Sequence, residues 1–444
     1  MKSFYKQLFF SPITYILLCV VMGLFAFSYL FPQLLLAAKA SIGMWLLIVG
    51  LDVFLMFATG GKVLGRREMA DKLSNGDENE ITIVVENDFR FKISVEVFDE
   101  IPEQFQIRDL VISGDVDPYQ TLSKSYHLRP VERGEYEFGA LNVIVSSPLK
   151  LVKRRYSFDQ GFKVPVYPSY LQMRTYQLMA ISNRLTDVGV KKIRRLGQAS
   201  EFEQIKQYVR GDDFRTINWK ATARTGKLMA NQYMDERSQQ VFCLVDKSRT
   251  MKMPFEGMAL LDYAINASLV LSNIALFKHD RAGLITFSKH IDSFLPASGR
   301  PIQMNHIMEH LYRQETNYQE SDYAKLYAVV KRQLNQRSLL LLFTNFESVS
   351  SLRRQLPYLQ KMAKLHMLVV IFFENTELKD LLSSHPEKLE DIYIKATGEQ
   401  FAFEKQQIVR ELNQHGISSI LTPPEHLTVN TLNKYLELKS RAII

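Results

Sequence analysis

Two long apolar runs open the chain, a period-two pattern follows them, and strand-like segments alternating with helix-like ones close it. Residues Ile13 to Phe31 hold no charged side chain and are rich in Ile, Leu, Val and Phe. At 1.5 Å per residue such a run spans the roughly 30 Å hydrocarbon core of a bilayer. Ala40 to Thr59 is nearly as apolar, and Pro32 falls in the short link between the two. Residues 1–62 therefore read as a transmembrane helical hairpin with spans at about 13–31 and 40–59. Ala38-Lys39-Ala40 imitates a signal-peptide cleavage site. The apolar stretch before it, however, exceeds the roughly 7–15 residues of a signal core, and a second span follows at once. Lys2 and Lys6 precede the first span, Lys62, Arg66, Arg67 and Lys72 follow the second, and the link holds only Lys39. Both ends and the soluble bulk are thus expected in the cytoplasm. Asp52 lies inside the second run and is costly there unless paired. A hydrogen bond within the hairpin is its expected role, with a contact to a partner helix as the rival.

Residues 63–79, ending in the polar stretch DKLSNGDEN, read as a linker. The period then becomes two: Ile81, Ile83 and Val85 alternate with polar neighbours, as do Phe91, Ile93, Val95 and Val97, with Asn87-Asp88 as the turn between them. Tyr136, Phe138, Leu141, Val143 and Val145 continue the style around Gly134 and Gly139. Short strands with such punctuation predict an immunoglobulin-like β-sandwich over residues 80–175. A basic segment, 176–238, separates it from a third part, 239–444. There, apolar strands at Gln240–Val245, Ala282–Phe287, Leu339–Phe343, Met367–Phe373 and Ile417–Leu421 alternate with helical patterns, the longest about Phe255 to Phe277. The fold class is α/β, a doubly wound and mostly parallel sheet with helices on both faces. Its ligands are expected at the carboxyl ends of the strands, where Asp246 and Thr344-Asn345 fall.

Composition narrows the function classes. A chain of 444 residues with 46% hydrophobic and 23% charged residues is globular and long enough for two or three domains. A mean hydropathy of −0.10 excludes a polytopic transporter while leaving room for a hairpin. Cys19 and Cys243 are too few for a disulfide framework and lack zinc-site spacing. The net charge of +8 suits an acidic partner, a membrane surface or nucleic acid. Most of it is local: residues 190–230 carry ten Lys or Arg against four Asp or Glu.

Three motifs carry candidate chemistry. Asp246, Ser248 and Thr250 follow the first strand of the α/β part, and one carboxylate with two hydroxyls at alternate positions can converge on a hard cation. The same residues also make a helix N-cap cluster. The stretch EFEQIKQYVRGDDFRTINWKATARTGK (201–227) interleaves Phe202, Tyr208, Phe214 and Trp219 with a basic face. Protein or lipid docking competes there with an internal network in which Arg210, Arg215 and Arg224 pair with Asp212 and Asp213. A nucleic-acid tether is a weaker alternative, because no base-reading motif accompanies the charge. Finally, His306-Ile307-Met308-Glu309-His310 satisfies H-x-x-E-H, the pattern of a zinc hydrolase. Met304, Ile307, Met308 and Leu311 form one helical stripe with both histidines opposite, which is how an ordinary amphipathic helix reads. No phosphate-binding glycine loop, nucleophile elbow or dinucleotide fingerprint is present, so no enzyme activity is expected.

RGDDFRTINWKATAR, preceded by EFEQIKQY and followed by Asp246 to Met251, resembles the bacterial domain-of-unknown-function 58 family. RGEYEFG (133–139), SPLKL (147–151) and the N-terminal hairpin resemble it as well, so the likeness covers nearly the whole chain. The resemblance implies a protein of the bacterial inner membrane with a von Willebrand factor type A-like cytosolic domain. It also implies a role as adaptor or co-chaperone of a MoxR-type AAA+ ATPase, with no reaction and no small-molecule substrate. Arg210, Asp212, Asp213, Arg215, Asn218, Trp219, Lys220 and Arg224 of the signature are the partner-binding candidates. Asp246, Ser248 and Thr250 resemble a metal-ion-dependent adhesion site for Mg²⁺ or another divalent cation, with Thr316 as its second-loop threonine. Asn345 stands where that motif has an aspartate, which removes one negative charge, with Glu347 close by.

Overall fold

Both apolar runs are helices in the computed structural model of the chain, α1 (Pro12–Leu30) and α2 (Leu35–Ala58). A single 3-10 turn at Pro32–Leu34 joins them, so the second helix starts five residues before the expected Ala40 and Lys39 lies inside it. A lysine one turn from a helix end can carry its ammonium out to the interface. The structure describes residues 7–108, 110–158, 161–181, 189, 201–209, 212–234, 238–316, 318–374 and 389–441. Two units divide the chain, Met1–Tyr167 and Pro168–Ile444.

The first unit joins the hairpin to antiparallel β-structure. Its strands are β1 (Leu8–Phe10), β2 (Val63–Glu68), β3 (Leu73–Ser74), β4 (Asn79–Asn87), β5 (Ile93–Asp99), β6 (Val111–Val116), β7 (Thr121–Leu128), β8 (Gly134–Phe138), β9 (Leu141–Ser146), β10 (Val152–Phe158) and β11 (Phe162–Tyr167). They form a five-stranded sheet in the order β1-β10-β9-β5-β6 and two three-stranded sheets, β3-β11-β8 and β2-β4-β7. The alternation read from the sequence sets the core: Ile81, Ile83, Val85, Ile93, Val95, Val97, Val143 and Val145 are all buried.

The linker expected at 63–79 is instead part of this unit. Val63–Glu68 pairs with β4 along its whole length, and Leu73–Ser74 pairs with β11. The reason lies in Arg67, whose charge suggested solvent. Its guanidinium is buried between the Phe138 and Phe162 rings, 5.0 and 5.2 Å from their centroids, and ion-pairs with the buried Asp99. Tyr126 donates its hydroxyl to the same carboxylate. The unit ends at Tyr167, before the expected boundary at 175, because the next helix packs into the second unit.

In the second unit, β12 (Glu201–Gln207) and β13 (Met229–Met234) make a two-stranded ribbon, and β15 (Pro254–Phe255) and β16 (Met258–Ala259) a small hairpin. The main sheet holds β14 (Gln240–Asp246), β17 (Arg281–Phe287), β18 (Ile291–Ser298), β19 (Leu339–Phe343), β20 (Met367–Phe373) and β21 (Ser418–Thr422). Its order is β18-β17-β14-β19-β20-β21, parallel except for the edge strand β18. Helices cover both faces, which is why these strands read as unbroken apolar runs. Val241, Cys243 and Val245 of β14 face α3 (Tyr170–Ile181) and residues of three further helices including the long, buried Leu260–Phe277. Phe242 and Leu244 face a second core containing Leu326, Leu352, Leu359, Ile408 and Leu412. Burial pushes the Cys243 thiol up to about 11, so it is a core side chain rather than a nucleophile.

Candidate functional site

The parallel strands of the main sheet lie in the order second, first, third, fourth, fifth along the chain. Connections therefore leave β14 in opposite directions on its two sides, and open sheets of this kind bind ligands at the carboxyl ends beside that reversal. Asp246 ends β14 and Thr344-Asn345 follow β19 at this place. The Asp246 carboxylate is 2% exposed, and protein donors take up both of its oxygens. Oδ1 accepts from the Ser248 amide at 2.9 Å and from the Ser321 hydroxyl. Oδ2 accepts from Thr344 Oγ1 at 2.6 Å and from the Tyr323 hydroxyl at 3.4 Å. Burial pushes the carboxyl above its ordinary range against the pull of these bonds, and burial beside Asp246 pushes the Tyr323 phenol well up.

Ser248 Oγ and Thr250 Oγ1 lie 2.9 Å apart in one hydrogen bond. Thr316 is half-buried and makes no hydrogen bond to these groups among the described residues, and Asn317 beside it lies outside them. Asn345 donates to the Thr250 carbonyl at 3.3 Å. Its Oδ1 accepts from the ammonium of Lys405, at 2.5 Å, which also donates to the Phe346 carbonyl at 2.7 Å. Burial holds the Lys405 amine down to about 8.

A divalent cation needs several oxygen lone pairs converging on one point. Here the carboxylate is saturated by donors, the two hydroxyls engage each other, and an ammonium already sits on the Asn345 oxygen. A cation placed among them meets that ammonium at close range in a low-dielectric setting. The residues so arranged do not fit a divalent cation. They fit an internal hub in which Asp246 ties together the loops after β14 and β19 and the segment before Tyr323. Ser321, Tyr323 and Lys405 escaped the sequence reading. Ser321 and Tyr323 flank Asp322, whose side chain caps a helix by accepting from the Lys325 amide at 3.0 Å, and that cap was the available signal. Lys405, sixty residues beyond Asn345, gave none. Beside the hub lies a cavity of about 680 Å³ lined by Phe255, Leu260, Phe373, Phe401, Phe403 and Lys405 among others.

The signature segment is an outward-facing structure. Between β12 and β13, Asp213 accepts from the Arg215 amide to cap a 3-10 turn at Phe214–Thr216. Asn218 accepts from the Ala221 amide at 3.0 Å and caps the helix Trp219–Thr225, which Gly226 ends at φ +68°. Asp212 accepts from the Val209 amide and from Lys206, both at 3.1 Å, and these bonds hold its carboxyl below the usual range. Among the described residues Asp212 pairs with Lys206. Arg210 lies outside the described residues, as do the cations of 190–200. Phe214 and Trp219 are each 70% exposed, with Arg215, Lys220 and Arg224 exposed around them. Arg215 lies over the Phe214 ring at 5.7 Å, and none of the three cations forms an ion pair among the described residues.

His306, Glu309 and His310 lie on the helix Gln303–Tyr312 as the stripe predicted, with Ile307 and Leu311 fully buried on the opposite face. His310 Nδ1 hydrogen-bonds Ser293 Oγ at 3.0 Å. Among the described residues no group of three or more His, Cys, Asp or Glu could hold a metal ion.

Most of the ribbon, the capped helix and the Asp246 strand lie within one family match. Residues 204–411 match the family described as protein of unknown function DUF58. The chain is also similar to the uncharacterized protein YeaD of Bacillus subtilis (strain 168), 29% identical over 194 residues. That alignment covers 43% of this chain and 46% of YeaD, so the chain spans about half the length of the curated relative it matches. Among solved structures, the conserved hypothetical protein BatB from Bacteroides thetaiotaomicron is 12% identical over 46% of this chain and 98% of its own, with a TM-score of 0.31. PapD-like domain 7 of human CEP192 is 16% identical over 24% of this chain and 87% of its own, with a TM-score of 0.19. Both structural likenesses are slight. The family match assigns no function, and the two apolar N-terminal helices are long and apolar enough to cross a membrane.

Proposed function

We propose that this chain is a membrane-anchored, non-enzymatic protein-interaction module that works with a MoxR-type AAA+ ATPase from the cytoplasmic side of the bacterial inner membrane. The observation that carries the reading is the Phe214–Trp219 patch. Two large aromatics, each 70% exposed and held by side-chain caps, stand among three cations without ion pairs among the described residues. Trp and Arg are the side chains that most often dominate binding energy when a partner covers them. The unneutralised cations select an acidic partner face and speed its approach. In this reading the β unit is an immunoglobulin-like spacer, and the α/β unit a von Willebrand type A-like body. The Asp246 hub stiffens its rim without a metal, so Mg²⁺ is dispensable for binding.

The test is capture from native membranes solubilised in mild detergent, with bound proteins identified by mass spectrometry. An AAA+ ATPase is expected with the wild-type chain, in Mg²⁺ and in chelator alike. Replacing Trp219 and Arg215 together by Ala should weaken capture at least about tenfold, the scale on which hot-spot truncations act. Undiminished capture by that variant, or no ATPase with wild type, overturns the reading.

A further inference from the structure

The hairpin is fastened to the β unit at a defined depth. β1 pairs with β10, Phe10 opposite Val152. The Ser11 amide and the Thr14 hydroxyl both donate to the Leu151 carbonyl, at 2.9 and 2.5 Å. From α2, Asp52 Oδ2 accepts from Ser147 Oγ at 2.6 Å, from the Val152 amide at 3.0 Å and from the Leu151 amide at 3.2 Å. Among the described residues Asp52 thus bonds to the β unit rather than to its own hairpin. Val49, Leu151 and Val152 close an apolar cluster with Leu8, Trp45 and Val53. Arg154 donates to the Met56 carbonyl at 2.8 Å.

These contacts set Thr14, Asp52 and the turn after β9 at one level. Beyond it, each helix rises about 25 Å to the link, close to the roughly 30 Å of hydrocarbon it has to cross. The turn Ser147–Leu151 therefore lies where hydrocarbon gives way to headgroups. Strand register brings a second turn to the same end of the unit, since Ser94 pairs with Ser146 and Ile93 with Val116. The tips of the two turns carry Leu149, 45% exposed, with Lys150 beside it, and Tyr119, 67% exposed. Phe9 and Phe10, 44% and 41% exposed, stand at the root of α1 with Tyr15 against Phe10. Exposed aromatics and a leucine at this level, with a lysine among them, are the side chains of a membrane interface.

We propose that this end of the β unit is a lipid-contact surface. Leu149 and Tyr119 enter the headgroup layer of the same bilayer that α1 and α2 cross, and Lys150 meets lipid phosphate. The inference rests on the reading of those helices as spans. It is tested on the full chain in vesicles of phosphatidylcholine and phosphatidylglycerol carrying nitroxide lipids. An environment-sensitive fluorophore is placed at Leu149→Cys, at Tyr119→Cys and at Ile107→Cys, which lies at the opposite end of the unit and is 45% exposed. Each variant carries Cys19→Ser, and Cys243 is buried. Labels at 149 and 119 should be quenched severalfold more than the label at 107, with bluer emission. Quenching at 149 and 119 no greater than at 107, while a label on native Cys19 is quenched by deep nitroxides, overturns the inference alone. An unquenched label on Cys19 overturns the reading of the spans, and the inference with it.

Discussion

Lys405 is the residue whose charge most shapes the rim of the α/β sheet. Its ammonium is drawn out of water to hold Asn345 and the Phe346 carbonyl, and burial outweighs the attraction of Glu347. Its amine titrates at about 8 in the folded chain against 10.5 when unfolded. Between these values the unfolded chain binds more protons, so stability rises with pH across the window and is lost again as pH falls through about 8. Urea midpoints measured across that window should climb for wild type and stay flatter for Lys405→Met, and identical slopes count against this account. The D-x-S-x-T spacing marked Asp246 and its hydroxyl neighbours without help. Ser321 and Tyr323, two of the donors that saturate the carboxylate, were not legible, because they reach it only through packing between distant segments, and Lys405 reaches Asn345 in the same way. Spacing shows which oxygens can converge, not which hydrogens arrive first.

At the scale of elements, period and length were good guides wherever one face of an element is uniform. Both helices of the hairpin and all five parallel strands were legible to within a few residues. Val63–Glu68 was not, because Arg67 is a buried charge satisfied by Asp99 and two aromatic rings, and polarity alone reads such a residue as surface. Asp52 posed the same difficulty. Its partners, Ser147 and the amides of Leu151 and Val152, lie about a hundred residues away and join the hairpin to the sheet. Asp52→Ala removes the acceptor for two buried amides and a hydroxyl, at about 1–3 kcal/mol for each orphaned donor. Exchange of the Leu151 and Val152 amides in detergent micelles should then quicken by roughly ten- to a hundredfold. Amides of the central strand β4, Ile81 to Val85, should be unchanged. Unaltered protection at 151 and 152 would mean that the turn holds without the hairpin.

For the whole molecule, the decisive fact is that the apolar helix of the second unit is spoken for. Leu260–Phe277 has the length and hydropathy of a span, yet Ala264, Ile265, Leu269, Val270, Leu271 and Ile274 are fully buried against the sheet and its neighbouring helices. The two exposed apolar helices long enough to cross a membrane lie wholly in the first unit, and the division falls between Tyr167 and Pro168. A unit with two cores of its own, one on each face of a six-stranded sheet, has what a domain needs to fold alone. Residues 168–444 produced without the hairpin should accordingly stay in solution without detergent and show the circular dichroism of mixed helix and sheet. They should unfold in one cooperative step, with a midpoint matching one of two transitions of the full chain. A fragment that needs detergent, or that melts without cooperativity, would show that the α/β unit depends on the hairpin-bearing unit for its fold. Solubility with a matching midpoint would instead assign the membrane to the first unit and leave the Trp219 patch and the Asp246 hub to a separable body.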